Sequence, residues 1–122
     1  MSYDNRILTV TFPAAASLVG KRFYNVKMNS SGEIALVSAI TDVVLGILQN
    51  EPDGQGKEAS VALEGISKIV LGATLASGVQ CGSGAAGKAA ADASTNYTIG
   101  TILEGGVSGD IGSVHMNRAT IK

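Results

Sequence analysis

The sequence predicts an all-β fold: a single small β-barrel or β-sandwich of jelly-roll or tulip-like form, with an extended N-terminal arm and little helix. Three observations predict it. Apolar residues alternate with polar ones in short runs separated by turn formers, which is the period of a pleated strand. Sixteen glycines punctuate 122 residues, and with no Trp, two Phe and three Tyr the core must come from Val, Ile, Leu and Ala, side chains that suit tightly paired β-layers. Finally, one strand–loop–strand unit occurs twice, as Leu45-Gly46-Ile47-Leu48 leading through residues 49–56 to Ala59-Ser60-Val61-Ala62-Leu63, and as Ile99-Gly100-Thr101-Ile102-Leu103 leading through residues 104–109 to Ile111-Gly112-Ser113-Val114-His115-Met116. Fourteen residues separate Gly46 from Ser60 and thirteen separate Gly100 from Ser113.

Residues 1–16 form the expected arm and residues 17–122 the single β-domain. Ile7, Leu8, Val10 and Phe12 alternate imperfectly before Pro13, and a proline has no N–H for a ladder, so the stretch belongs at a sheet edge or detached from the sheet. From Phe23 to Met28 the alternation is clean. Asn29-Ser30-Ser31-Gly32 then supplies a turn before Glu33–Val37, and the two runs form a hairpin. Ser38–Asp42 reads as at most one helical turn capped by Ser38. Gly65 and Gly72 bound a strand, Ile66–Leu71, with Ile66, Lys68 and Val70 on one face and Ser67, Ile69 and Leu71 on the other. Neither face is purely polar, so both are expected to meet protein. Ala73–Ser77 precedes Gly78-Val79-Gln80-Cys81, Gly82–Gly87 is a loop of minimal side chains, Lys88–Ala93 is a helical turn or a strand, and Asn117–Lys122 closes the chain with one more possible strand.

Several classes of function find little support. Nine basic and ten acidic residues give a net charge of −1 without charged blocks, so no footprint for nucleic acid or an anionic membrane is expected. No run approaches the ~20 apolar residues of a membrane span, and the N-terminus lacks the pattern of a signal peptide. The lone cysteine, Cys81, excludes an internal disulfide. Gly82–Ala89 has the spacing of a phosphate-binding loop, but Ala89 stands where a metal-binding hydroxyl is required. Cys81 and His115 are a nominal nucleophile–base pair without an orienting third group. Glu51, Asp53, Glu58, Glu64, Glu104 and Asp110 lie in or beside the two loops and lack calcium-loop spacing. Lys27, between Val26 and Met28, is placed unlike the hairpin-tip lysine of biotin-carrying domains, since the turn follows at Asn29. The expectation is a non-enzymatic protein with no cofactor, no metal and no small-molecule substrate.

Gly20-Lys21-Arg22-Phe23-Tyr24-Asn25-Val26, Gly32–Val37, Val44–Leu48, Gly56–Gly65 and, later, Gly78-Val79-Gln80, Gly87-Lys88-Ala89 and Ile99–Leu103 together resemble the small capsid decoration, or cement, proteins of tailed double-stranded DNA phages and prophages. The resemblance spans about residues 17–116. It implies a compact β-protein, commonly a homotrimer, that sits on the outside of an expanded head, bridges neighbouring subunits of the major capsid protein and stabilises the DNA-filled shell. On this reading Asn5, Arg6, Ile7, Leu8, Thr9, Val10, Thr11 and Phe12 are the candidate capsid contact, by strand addition. Ile66, Lys68 and Val70 are the candidate subunit interface. A head fibre, tail or receptor-binding β-module is the alternative, with a small carrier or enzyme domain behind it.

Overall fold

A computed structural model of the chain describes residues 5–40, 42–84, 86–91 and 98–116. The final strand expected at Asn117–Lys122 lies outside the described residues, as do Asp92 and Ala93 at the end of the run after Lys88. Nine strands are described: β1 (Asn5–Pro13), β2 (Asn25–Met28), β3 (Ile34–Leu36), β4 (Gly46–Leu48), β5 (Glu58–Val70), β6 (Gln80–Ser83), β7 (Ala89–Ala91), β8 (Thr98–Glu104) and β9 (Ile111–Met116). Every ladder is antiparallel. The sheet order is β3-β2-β4-β5-β9-β8-β6-β7, with β1 on β5, and no helix occurs among the described residues.

That order is the same four-strand arrangement written twice. In the first half the hairpin β2–β3 and the hairpin β4–β5 join through β2 and β4; in the second, β6–β7 and β8–β9 join through β6 and β8. The registers correspond residue for residue. Val26 faces Leu36 and Gly46, and Cys81 faces Ala91 and Gly100. Leu48 faces Val61, and Ile102 faces Val114. Backbone hydrogen bonds outside the strands match as well: Phe23 N–H donates to the Leu48 carbonyl at 2.8 Å and Gly78 N–H to the Ile102 carbonyl at 2.7 Å, while Asn29 N–H donates to Glu33 and Gly84 N–H to Lys88, both at 2.9 Å.

The correspondence extends to β1, which pairs with the first part of β5 as the last part of β5 pairs with β9: Phe12 faces Ala59 and Ile69 faces Gly112. Each half is then curled shut by one parallel bridge, Ala14 to Ile34 and Leu71 to Ala89. The molecule is therefore two small curled β-units in tandem, and β5 is both the last strand of one and the first strand of the next. At Ala62 the two edges of β5 are taken by Thr9 and Ile47, and at Gly65 by Arg6 and Met116. Gly65 itself, at φ +102°, adopts a backbone that L-residues rarely take, beside register shifts in the β1–β5 ladder. The expectation of two separate strands bounded by that glycine is corrected: the chain runs through it.

Each unit has its own core. Ala14, Leu18, Val26, Ile34, Leu48, Ala59 and Val61 fill the first, with Phe12, Leu36, Leu45 and Leu63 against them. Leu71, Leu75, Cys81, Ala89, Ile102, Val114, Ile69, Ile99 and Met116 fill the second, which also takes in Ile47, Ala62 and the ring of Phe23 at the seam. Large and small residues trade places between the units. Ala14 meets Ile34 in the first and Leu71 meets Ala89 in the second; opposite Leu71 the position of Ala59 is Gly112, where a Cβ would overlap the Glu104 carbonyl oxygen and touch the Leu71 methyls. Similar total volume with changed shape is what a well-packed core tolerates.

Two further expectations change. Of the expected arm, residues 1–4 lie outside the described residues, and residues 5–16 do not stand off, because Asn5–Pro13 is β1, Ala14 N–H donates to the Lys57 carbonyl, and Phe12 packs on the first core. The placement of Pro13 at a sheet edge does hold, since among the described residues β1 pairs only with β5. Ser38 caps no helix. Instead Asp42 reaches back, its Oδ2 accepting the N–H groups of Ser38 and Ala39 at 3.0 Å each, which closes a turn.

Candidate functional site

The residues weighed for catalysis from sequence are not brought together. Cys81 is buried in the second core, whereas His115 is exposed between Val114 and Met116, whose side chains face that core. Gly82 and Ser83 end β6 and are not loop, since they pair with Ala90 and Ala89 of β7, and among the described residues of Gly82–Ala89 no helix N-terminus is present to hold a phosphate. Lys27 lies within β2, its Nζ 2.9 Å from Asp42 Oδ2 and 3.3 Å from Ser38 Oγ. That hydrogen bond from Lys27, with the backbone N–H of Ser38 next, lowers the Asp42 carboxyl from 3.8 to about 2. Glu51 accepts the Gly20 N–H at 2.7 Å and Asp110 the Val107 N–H at 3.0 Å, so both act as turn acceptors. Among the described residues no three His, Cys, Asp or Glu side chains are grouped to hold a metal ion.

What the fold presents is surface. The outer edge of β1 is one candidate. Since Ala14 N–H points to Lys57 on the β5 side, alternation along the strand aims the N–H groups of Phe12 and Val10 at β5 and those of Thr9 and Thr11 away from it. Thr9 and Thr11 are exposed, and Pro13 next along offers no N–H at all.

The seam between the units is the other. Lys21, Arg22, Phe23 and Tyr24 form the turn into β2. Phe23 N–H donates to Leu48 of the first unit, and Phe23 carbonyl accepts the N–H of Val70, in the second, at 3.0 Å. Four cations surround the two rings: Arg22 lies 5.1 Å and Lys68 5.8 Å from the Phe23 centroid, and Lys21 lies 5.1 Å and Lys88 5.9 Å from the Tyr24 centroid, within the range of cation–π attraction. Behind them the seam is polar and buried: Asn25 N–H donates to the Gly87 carbonyl at 2.7 Å and its Nδ2 to Ser83 Oγ at 3.4 Å. Of the face predicted for subunit contact, Ile66, Lys68 and Val70 are all half-buried, and Phe23 of the same chain already engages Lys68 and Val70. The cation–aromatic cluster escaped sequence reasoning because its members come from three separated stretches, and only the Lys21–Tyr24 run was visible as a block.

This tandem arrangement has a known counterpart. The fold is similar to that of a phage head-fibre base. The crystal structure of the head fibre gp8.5 N base of bacteriophage phi29 superposes with a TM-score of 0.70 over 94% of this chain and 99% of that chain, at 15% identity. At that identity the likeness is one of fold. No family model matches the chain, and no curated protein matches it in sequence.

Proposed function

We propose that this chain is a structural protein of a phage virion, carried on the outer surface of the head, where it decorates the major capsid protein lattice and staples neighbouring subunits of the expanded shell. The observation that carries the reading is the fold likeness to a phage head-fibre base over nearly the whole of both chains. The sequence resemblance to capsid decoration proteins points the same way. Two units on one continuous strand make a stiff span, which suits a bridge between subunits, and many weakly bound copies acting together hold strongly.

The proposed capsid contact is β1 across Asn5–Phe12, with Thr9 and Thr11 offering outward N–H groups to an added strand. Self-association into a homotrimer belongs to the same proposal, with Ile66, Lys68 and Val70 as its candidate contacts. Purified protein should co-sediment with expanded, DNA-filled heads and leave unexpanded precursors in solution; equal binding to both, or to neither, overturns the decoration reading. Sedimentation that returns only monomer at tens of micromolar removes the trimer.

The same likeness favours a second reading, that the chain is the base of a head fibre. Copy number separates the two. A decoration protein saturates the lattice at many copies per head, whereas a fibre base occupies a small set of positions.

A further inference from the structure

The two units serve as controls for each other, and the comparison isolates one surface that the fold does not require. Where the first unit has Lys21-Arg22-Phe23-Tyr24, the second has Ala76-Ser77-Gly78-Val79, and the backbone does the same thing in both. Phe23 has φ +68° and Gly78 has φ +88°, so the fold is satisfied by glycine there, and Phe23 holds a left-handed conformation that L-residues avoid. It is the sole non-glycine with positive φ among the described residues. The other two cations are equally specific to their unit: Lys68 corresponds to Thr11 and Lys88 to Glu33.

Backbone strain around a half-buried aromatic, kept where a glycine suffices, is an observation that leads to function. Among the described residues Lys21, Lys68 and Lys88 have no carboxylate partner, while Glu51, beside this turn, is occupied with the Gly20 N–H. Four cations thus stand over two aromatic rings in a protein whose net charge is −1.

We infer that Lys21, Arg22, Phe23, Tyr24, Lys68 and Lys88 form a docking surface for an acidic, carboxylate-bearing segment of a partner protein; read with the proposed function, on which this last step rests, that partner is an acidic stretch of the capsid surface. Charge complementarity carries the choice of occupant. Arg22 and the three lysines pair with carboxylates, and the rings give the segment an apolar floor. A nucleic acid is the poorer match, because its affinity draws on about six to ten phosphate contacts and the remaining surface is acidic on balance.

Binding of a fluorescein-labelled glutamate-rich peptide to the full chain tests the surface without heads. The peptide should bind, with amide shifts confined to residues 21–24, 68 and 88, and lose affinity as salt rises. Replacing residues 21–24 by their counterparts, as Lys21→Ala, Arg22→Ser, Phe23→Gly and Tyr24→Val, should weaken it at least tenfold. The pair Lys21→Glu and Lys88→Glu, which leaves Phe23 in place, should do the same if the first variant fails to fold. No peptide binding by the wild type, unchanged binding by the charge-reversed pair, or tighter binding of a single-stranded oligonucleotide at these residues overturns the inference. Heads separate the two readings: peptide binding without head binding sinks the capsid proposal alone, and head binding that survives both variants leaves the capsid proposal standing and overturns the capsid as the occupant of this surface.

Discussion

Phe23 and Gly78 occupy the same place in the two halves of the chain. Each donates its N–H to a carbonyl of a neighbouring strand, Leu48 for Phe23 and Ile102 for Gly78, and each holds a left-handed backbone. Only one has a side chain, and that ring lies across the seam on the second core with Arg22 and Lys68 over it.

Two opposing terms act at Phe23 and one at Gly78. A left-handed L-residue costs about 1–2 kcal/mol, and a Cβ at Gly78 would meet nothing within 4 Å, so Gly78→Ala should destabilise by about that amount through the backbone alone. Phe23→Ala keeps the strain and loses the ring, whereas Phe23→Gly loses both. Urea unfolding should therefore rank Phe23→Gly above Phe23→Ala by about 1 kcal/mol. The reverse order would mean that the strain is absent.

The exchanged core residues should be coupled. Ala14→Leu alone overfills the first unit and should cost about 1–3 kcal/mol, and Ile34→Ala alone empties it at about 2–5 kcal/mol. Together they install the Leu–Ala pair that the second unit uses at Leu71 and Ala89, so the double variant should be more stable than the sum of the singles by at least ~1 kcal/mol. Simple additivity in a denaturant cycle would show that the two bridges are not equivalent.

Asp42 supplies an acid-sensitive tether. Because the Lys27 hydrogen bond lowers its carboxyl from 3.8 to about 2, the contribution is complete above the ordinary value and is lost as pH falls through the lower one. Chemical-shift titration should place the Asp42 midpoint near the lowered value of about 2, moving up toward the ordinary value in Lys27→Ala. Asp42→Asn should remove the corresponding part of the stability change between those pH values. A midpoint in Lys27→Ala identical to wild type would disprove the assignment of cause.

The outer edge of β1 can be closed without disturbing its inner ladder. Thr11→Pro removes an outward N–H at an exposed edge position, where proline is tolerated. The variant should stay folded, with stability within about 1 kcal/mol of wild type, yet fail to sediment with expanded heads. Full head binding by folded Thr11→Pro protein would rule out strand addition at this edge.

Much of the fold was legible because hairpins are local: the runs around Asn29–Gly32, around residues 49–56 and around residues 104–109 appear as turns between paired strands, and Gly46–Ser60 and Gly100–Ser113 already marked equivalent hairpins. Two things were not legible. Gly65 has the look of a terminator, yet its positive φ is accommodated within a strand flanked on both edges. The full duplication is masked because core positions exchange size between units, Ala14 for Leu71 and Ile34 for Ala89, so the pattern of burial persists while the letters do not. The cation–aromatic surface depends on Lys68 and Lys88 reaching Phe23 and Tyr24 across the seam, a long-range fact that spacing does not encode.

The shared strand β5 also bears on descent. A gene that doubles a free-standing unit can ordinarily lose either copy again, but here the copies are spliced through the middle of one hydrogen-bonded strand. Excising either half leaves the survivor with a severed strand and an uncovered seam. The shared strand therefore locks the halves together: each carries its own surface, as the Lys21–Tyr24 turn does against Ala76–Val79, while neither can be discarded without cutting β5.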